Sequence, residues 1–295
     1  MSRLPSGGEI RLKSPAKINL GLRVLGLRPD GFHEVETWVQ QITLFDRIRI
    51  RLAARAIRVT VDRPEIPSGR ENLAYRAAAA LRAAAGGGPL GASIHLEKRI
   101  SAGAGLGGGS GNAAAVLWGL NRLWKLGMAP SALSGIAAGI GSDVPLFLAG
   151  PAALCRGRGE RVSRRSPLAS GWILVIKPPY SLPTPRVYGW MRNYLKKKKR
   201  PSRIKHRPMA SPDYRNDLEQ VVFERRPFLR ECRDALLSAG AGRALMSGSG
   251  PALWGMFRSE AVARAAAREF ARRRRWMVYL ARPLTSSILS VKDLK

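Results

Sequence analysis

Acidic residues are scarce in this chain of 295 residues: 20 Asp+Glu stand against 51 Lys+Arg, a formal net charge of +31. That balance permits contact with nucleic acid or an acidic membrane and would draw polyanionic substrates. The charge is spread along the whole chain, however. Local runs occur only at residues 196–200 and 272–275, and no RNA-recognition aromatic motif, zinc finger or helix-turn-helix pattern accompanies them. Charge alone is a weak indicator, so nucleic acid is not expected as the main partner. Cysteine is nearly absent. Cys155 and Cys232 stand far apart, which excludes a disulfide framework and points to a reducing compartment. Together with the three histidines, His33, His95 and His206, they offer no metal-ligand spacing. No apolar segment follows the first basic residue, so no signal peptide is expected. The apolar stretch 136–149 is interrupted by Asp143 and Pro145 and is too short to span a bilayer. A soluble, cytoplasmic protein without membrane contact is expected. No internal repeat is visible.

The length allows two domains or one large one, with an ordinary apolar fraction of 45%. Strands are predicted at 11–26, 32–44, 46–52 and 56–61, a β-rich and antiparallel opening. The segment 46–52 alternates strictly through Arg47, Ile48, Arg49, Ile50 and Arg51. An alanine-rich helix at 71–85 ends at a Gly-Gly-Gly-Pro break. A strand at 93–97, a glycine loop and an amphipathic helix follow, then a helix at 130–138 and strands at 152–156 and 161–164. The pattern restarts near residue 170. A strand at 172–176 and a helix at 184–195 precede a basic, polar excursion over 196–211 that is read as flexible. A bent helix at 216–239, strands at 243–247 and 252–257, a helix at 260–275 and a strand at 276–281 complete the chain. That order suits an open antiparallel sheet with helices on one face.

The chemistry centres on residues 101–115, SAGAGLGGGSGNAAA, with six glycines and the hydroxyl of Ser110 between a strand and a helix start. Unsatisfied backbone N–H groups and the helix dipole favour an anion there, and glycine lets main chain approach it. A Walker loop needs a lysine that is missing after Gly108 and Gly109. Gly103, Gly105 and Gly108 fit the dinucleotide fingerprint formally. The acidic residue that motif requires is absent, because no Asp or Glu occurs from Lys98 to Ser142. The protein-kinase motif set is absent too. A phosphate cradle or a serine-capped surface turn remains. The first acid after the window, Asp143, reads equally as a catalytic base or as a helix-capping turn residue.

Five segments in order resemble the GHMP kinase family: 14–20 (SPAKINL), 28–33 (RPDGFH), 105–110 (GLGGGS), 143–145 (DVP) and 246–250 (MSGSG). Residues 182–185 and 216–219 are also similar to it. The likeness spans nearly the whole chain and is strongest to members acting on a cytidine-diphosphate-linked methylerythritol. It implies an α+β, two-domain architecture, with a ribosomal-S5-like N-terminal domain (1–168) and a ferredoxin-like C-terminal domain (169–295). It implies ATP and Mg²⁺ as cofactors and phosphorylation of a hydroxyl of that small-molecule substrate, in non-mevalonate isoprenoid synthesis. Another GHMP small-molecule kinase, or a basic nucleic-acid-binding protein on this fold, is the alternative. Nothing in the sequence specifies the oligomeric state.

By the resemblance, Lys17 and Asp143 are catalytic. Ser101, Ala102, Gly103, Ala104, Gly105, Leu106, Gly107, Gly108, Gly109, Ser110 and Gly111 bind ATP. Asn19, Phe32, His33, Thr184 and Gly248 bind the substrate, with His33 at the cytosine edge and Phe32 stacking on the base. Asn19 shares a strand face with Lys17. Thr184 reads alternatively as a helix cap, and Gly248 as part of a hairpin turn. The family more often has proline at Ser101, glycine at Ala104 and a second serine at Gly111. Ser110 is then the one loop hydroxyl available to phosphate or Mg²⁺.

Overall fold

The computed structural model describes residues 8–168, 170–198, 207–273 and 275–287. Its first half is built on a long antiparallel ribbon, β1 (Glu9–Leu27) and β2 (His33–Ala53), closed by the turn at 28–32. The sequence reads β2 as two strands broken near Phe45, but it runs through. Asp46, at the start of the second of those predicted strands, is fully buried and satisfied by partners described below.

One edge of β2 pairs with β4 (Gly91–Glu97) through its second half and with β5 (Ala152–Gly157) through its first. β3 (Ile57–Val61) and β6 (Arg161–Arg164) extend these two wings. The β3–β4 pair is parallel, contrary to the antiparallel expectation. The intervening helix α1 (Leu73–Ala84) supplies the crossover that parallel neighbours need.

Helices α2 (Gly108–Leu123), α3 (Pro130–Ile140) and α4 (Val144–Ala149) complete this half. Ile10, Leu12, Ile48, Ile50, Ile94 and Leu96 on one sheet face bury against Leu81 of α1 and Val116, Leu117 and Leu120 of α2. α4 is absent from the sequence reading: its apolar run is too short to show a period.

The second half is a four-stranded antiparallel sheet in the order β10 (Met277–Ala281), β7 (Trp172–Lys177), β9 (Leu253–Phe257), β8 (Arg243–Met246). Helices α5 (Thr184–Lys197), α6 (Leu218–Arg225), α7 (Pro227–Ser238) and α8 (Glu260–Ala271) cover one face. Pro227 divides α6 from α7, as its missing N–H and fixed φ require. α8 stops at Ala271, short of the predicted residue 275. Of the two basic runs, residues 199, 200 and 274 lie outside the described residues, as does the 201–206 part of the predicted excursion. The other face of this sheet carries Ile173, Val175, Leu245 and Trp254, which pack on Ile18, Leu20 and Ile42 of the ribbon. The two sheets thus meet along β1, and no helix among the described residues is long and apolar enough to cross a membrane.

Candidate active site

Strand alternation decides the site's first half. In β1, Ala16, Ile18 and Leu20 turn toward the second sheet, so Lys17 and Asn19 face the other way. Both line a cavity of about 830 Å³, within the range of small-molecule sites. Lys17 Nζ donates to Asn19 Oδ1 at 2.7 Å and lies 3.8 Å from Asp143 Oδ2. Asn19 is itself held, donating through Nδ2 to Thr37 Oγ1 at 2.8 Å, while Thr37 donates to Gly21 O. Burial lowers the Lys17 pKa from the ordinary lysine range, and the Asp143 charge acts against that. The ammonium is 5% exposed and the carboxylate 44%. Asp143 occupies the N-cap position of α4 but makes no capping hydrogen bond there. Of its two sequence readings, side-chain capping is therefore not what this carboxylate does; it is left facing Lys17.

The glycine loop lies directly against these residues. Lys17 N donates to Leu106 O at 2.9 Å. The β8–β9 turn closes the loop from the other side. Ser247 Oγ donates to Gly105 O at 2.9 Å, and Ala252 N donates to Ala104 O at 3.2 Å. At Gly105, with φ +77°, a side chain would run into the Ser247 carbonyl, so only glycine permits this contact. At Gly248, a Cβ would sit 3.2 Å from Lys17 Nζ and 3.3 Å from Asn19 Oδ1. Gly107 then takes the left-handed conformation and starts α2, whose first N–H groups face the cavity rim at Gly108, Gly109 and Ser110. A macrodipole of roughly half a positive charge adds to them.

The loop's start is pinned by a buried cluster that sequence reasoning missed. Asp46 of β2 accepts from Arg99 N and Ile100 N, both at 2.8 Å, through one oxygen. Its other oxygen takes Lys98 Nζ and Asn112 Nδ2, and Lys98 also donates to Asn112 Oδ1 at 2.7 Å. The acid-free window is thus acid-free in sequence only. The usable signal was an aspartate set in a strand of arginines and isoleucines.

The far side of the cavity holds His33, 5% exposed, with Nε2 buried and without a hydrogen-bond partner. Burial, aided by the Arg192 charge, pulls its pKa down to about 4, so the ring is neutral at pH 7. The Tyr188 ring lies 5.1 Å from it, and Arg192 donates to Gly31 O at 2.8 Å. Phe32 is 50% exposed, with the Arg158 guanidinium 4.9 Å above its ring. Thr184, the first residue of α5, meets Ser249 Oγ at 2.9 Å rather than capping the helix, for which Pro183 holds the cap position. Tyr188, Arg158 and Arg192 line the same space and were not singled out in the sequence, where each is an isolated residue of a common type; Ser249, inside the 246–250 segment, lines it too.

Every residue singled out from the sequence lines this one cavity except Gly111. Its N–H is used within the helix, donating to Gly107 O at 2.9 Å. A Cβ there would lie 2.7 Å from Ser14 Oγ and 3.0 Å from Pro15 O, pointing into β1 and away from the cradle. A second serine at this position would therefore not offer its hydroxyl to a phosphate. The Ser101 hydroxyl also turns aside, to Tyr279 at 3.1 Å, while its main chain stays at the cavity.

Residues 72–151 match the GHMP kinases N terminal domain and residues 201–274 the GHMP kinases C terminal domain. The chain belongs to the GHMP kinase family, and its fold is the two-domain fold of that family. It is 45% identical over 249 residues to the 4-diphosphocytidyl-2-C-methyl-D-erythritol kinase of Pelotomaculum thermopropionicum, covering 82% of this chain and 86% of that one. The enzyme of the same name from Citrifermentans bemidjiense is 39% identical over 282 residues, covering 94% and 99%. A crystal structure of 4-(cytidine 5'-diphospho)-2C-methyl-D-erythritol kinase superimposes with a TM-score of 0.77 at 36% identity, covering 92% of this chain and 99% of that one.

Proposed function

We propose that this chain is the ATP-dependent kinase that phosphorylates a hydroxyl of 4-diphosphocytidyl-2-C-methyl-D-erythritol, giving the 2-phosphate on the non-mevalonate route to isopentenyl diphosphate. One observation carries the reading: a glycine-lined helix start, a Lys–Asp pair and a buried, unpartnered histidine open into one cavity. Those are a place for phosphates, a means of handling a hydroxyl proton and a reader for a polar ring edge.

In this reading, the free N–H groups of Gly108, Gly109 and Ser110 hold ATP phosphates, and the apolar wall of Ile66, Leu73, Leu96 and Ile100 takes the adenine. The cradle suits a Mg²⁺–nucleotide, since that ion keeps most of its waters and takes few protein donors. Ser110 is the residue that would hold it, and the ion would neutralise charge on the transferring phosphoryl. Asp143 accepts the proton of the substrate hydroxyl as its oxygen attacks the γ-phosphorus and ADP leaves. The Lys17 ammonium, 3.8 Å from that carboxylate, stabilises charge on the moving phosphoryl. Asn19 orients the diol. Neutral His33 offers its unpartnered Nε2 to the cytosine edge, and Phe32 and Tyr188 line the space around the base. Thr184 and the Gly248 main chain complete the substrate wall. We place the domain boundary near residue 168, between β6 and β7.

The test is purified protein with ATP, Mg²⁺ and the cytidine-diphosphate methylerythritol, following ADP. Turnover with this substrate and none with mevalonate or galactose is expected. The reverse pattern would reject the reading.

A further inference from the structure

We propose that the solvent face of the β1–β2–β4–β3 wing is a docking surface for double-stranded nucleic acid, held through its phosphate backbone. The charge looks diffuse along the chain, yet strand pairing gathers it. While Ile10, Leu12, Ile48, Ile50 and Ile94 build the core, the alternate residues Arg11, Lys13, Arg47, Arg49, Arg51 and Arg58 are exposed on the opposite face. Its acids are few: Glu9 pairs with Arg11 and Arg51, Glu97 with Arg47, and Asp62, just past β3, accepts from Lys98 N. The middle row sets Arg11, Arg49 and His95 abreast without an acid.

Register makes this costly. Arg11 lies directly opposite Arg49, and Lys13 opposite Arg47. Like charges so placed destabilise a sheet. A polyanion laid across the rows reverses the sign of that interaction, and guanidinium groups recurring every ~6.8 Å along a strand suit repeated phosphate contacts.

The occupant follows from what the face offers. Interfacial membrane binding uses Trp, Phe or Leu anchors. The one aromatic at the margin of this face among the described residues, Phe45, is half-buried beneath the Lys13 ammonium, 5.7 Å from the ring centroid. The same lack removes stacking platforms for unpaired bases. Duplex phosphates remain, a contact without base readout. None of the six cations lines the active-site cavity, so docking and turnover are separable.

The test is fluorescence anisotropy of the full chain with a short labelled duplex of mixed sequence, over a series of KCl concentrations. The triple variant Lys13→Gln, Arg49→Gln, Arg58→Gln should lower the slope of log affinity against log salt by roughly 0.9 for each phosphate that is no longer neutralised. Its turnover should match the parent chain, which also reports correct folding. The charge-preserving triple Lys13→Arg, Arg49→Lys, Arg58→Lys should keep the slope. Four results would overturn the proposal: an unchanged slope in the Gln triple, an equal fall in an Arg264→Gln, Arg268→Gln control on α8, loss of binding in the charge-preserving triple, or face-dependent binding to phosphatidylserine vesicles without duplex binding.

Discussion

Lys17 Nζ lies 3.8 Å from Asp143 Oδ2, the ammonium buried and the carboxylate open to the cavity. The pair joins a strand at the start of the chain to the beginning of α4. Removing the proton acceptor while keeping the shape, by Asp143→Asn, should lower kcat by about 10²- to 10⁴-fold, with KM for ATP little changed. Lys17→Met should lower kcat as well, since the carboxylate loses its counter-charge. Coupled ADP-release kinetics measure both. A near-parental rate in Asp143→Asn would remove it from the role of base.

His33 presents a buried Nε2 that no protein atom satisfies. A ligand edge there removes the cost of leaving it unpaired, about 1–3 kcal/mol, or roughly 5- to 150-fold in affinity. His33→Ala should raise KM for the cytidine substrate by a factor in that range. KM for ATP and kcat should change little. An unchanged substrate KM would take His33 out of the base site.

Gly111 and Ser14 occupy one volume: the missing Cβ of the first would fall 2.7 Å from the hydroxyl of the second. Gly111→Ser should therefore cost about 1–3 kcal/mol of stability by overpacking. Adding Ser14→Ala should recover part of it. Thermal melts of the single and double variants give the coupling, and nucleotide KM should stay near the parental value. A marked gain in ATP affinity in Gly111→Ser would mean that the position faces the phosphates after all.

Glu219 accepts from Met246 N at 2.7 Å, just before the turn that closes the glycine loop. Burial pushes its pKa up to about 7, and the Met246 and Arg233 contacts only partly offset that. The folded chain holds this proton to about pH 7, whereas the unfolded chain releases it near the ordinary glutamate value of 4.5. This carboxyl should therefore make stability fall as pH rises from about 4.5 to about 7 and leave it level above that. Glu219→Gln keeps an acceptor for Met246 and should flatten that segment. Urea midpoints across the range decide it; an unaltered slope would contradict the shift.

The elements themselves were largely legible. Alternation marked β1 and the 46–52 half of β2, because burying one face of a strand writes its period into the residues, while an unbroken apolar run marked the strand at 172–176. The glycine loop and Asp143 were legible for the same local reason: a helix start within a run of six glycines, and a carboxylate breaking an apolar run. Tertiary packing alone decided the rest. It carried Asp46 to Lys98, joining two strands whose separation no periodicity encodes. It turned Gly111 inward and Ser110 outward, a matter of helix rotation against β1. It brought the Ser247–Gly250 turn of one sheet onto the Gly105 backbone of the other. The sequence by itself determined which segments bury a face and which residue types could handle phosphate. Which of those residues share a cavity, and which cations share a face, was settled by strand register and sheet contact, since these depend on long-range pairing that leaves no local periodicity.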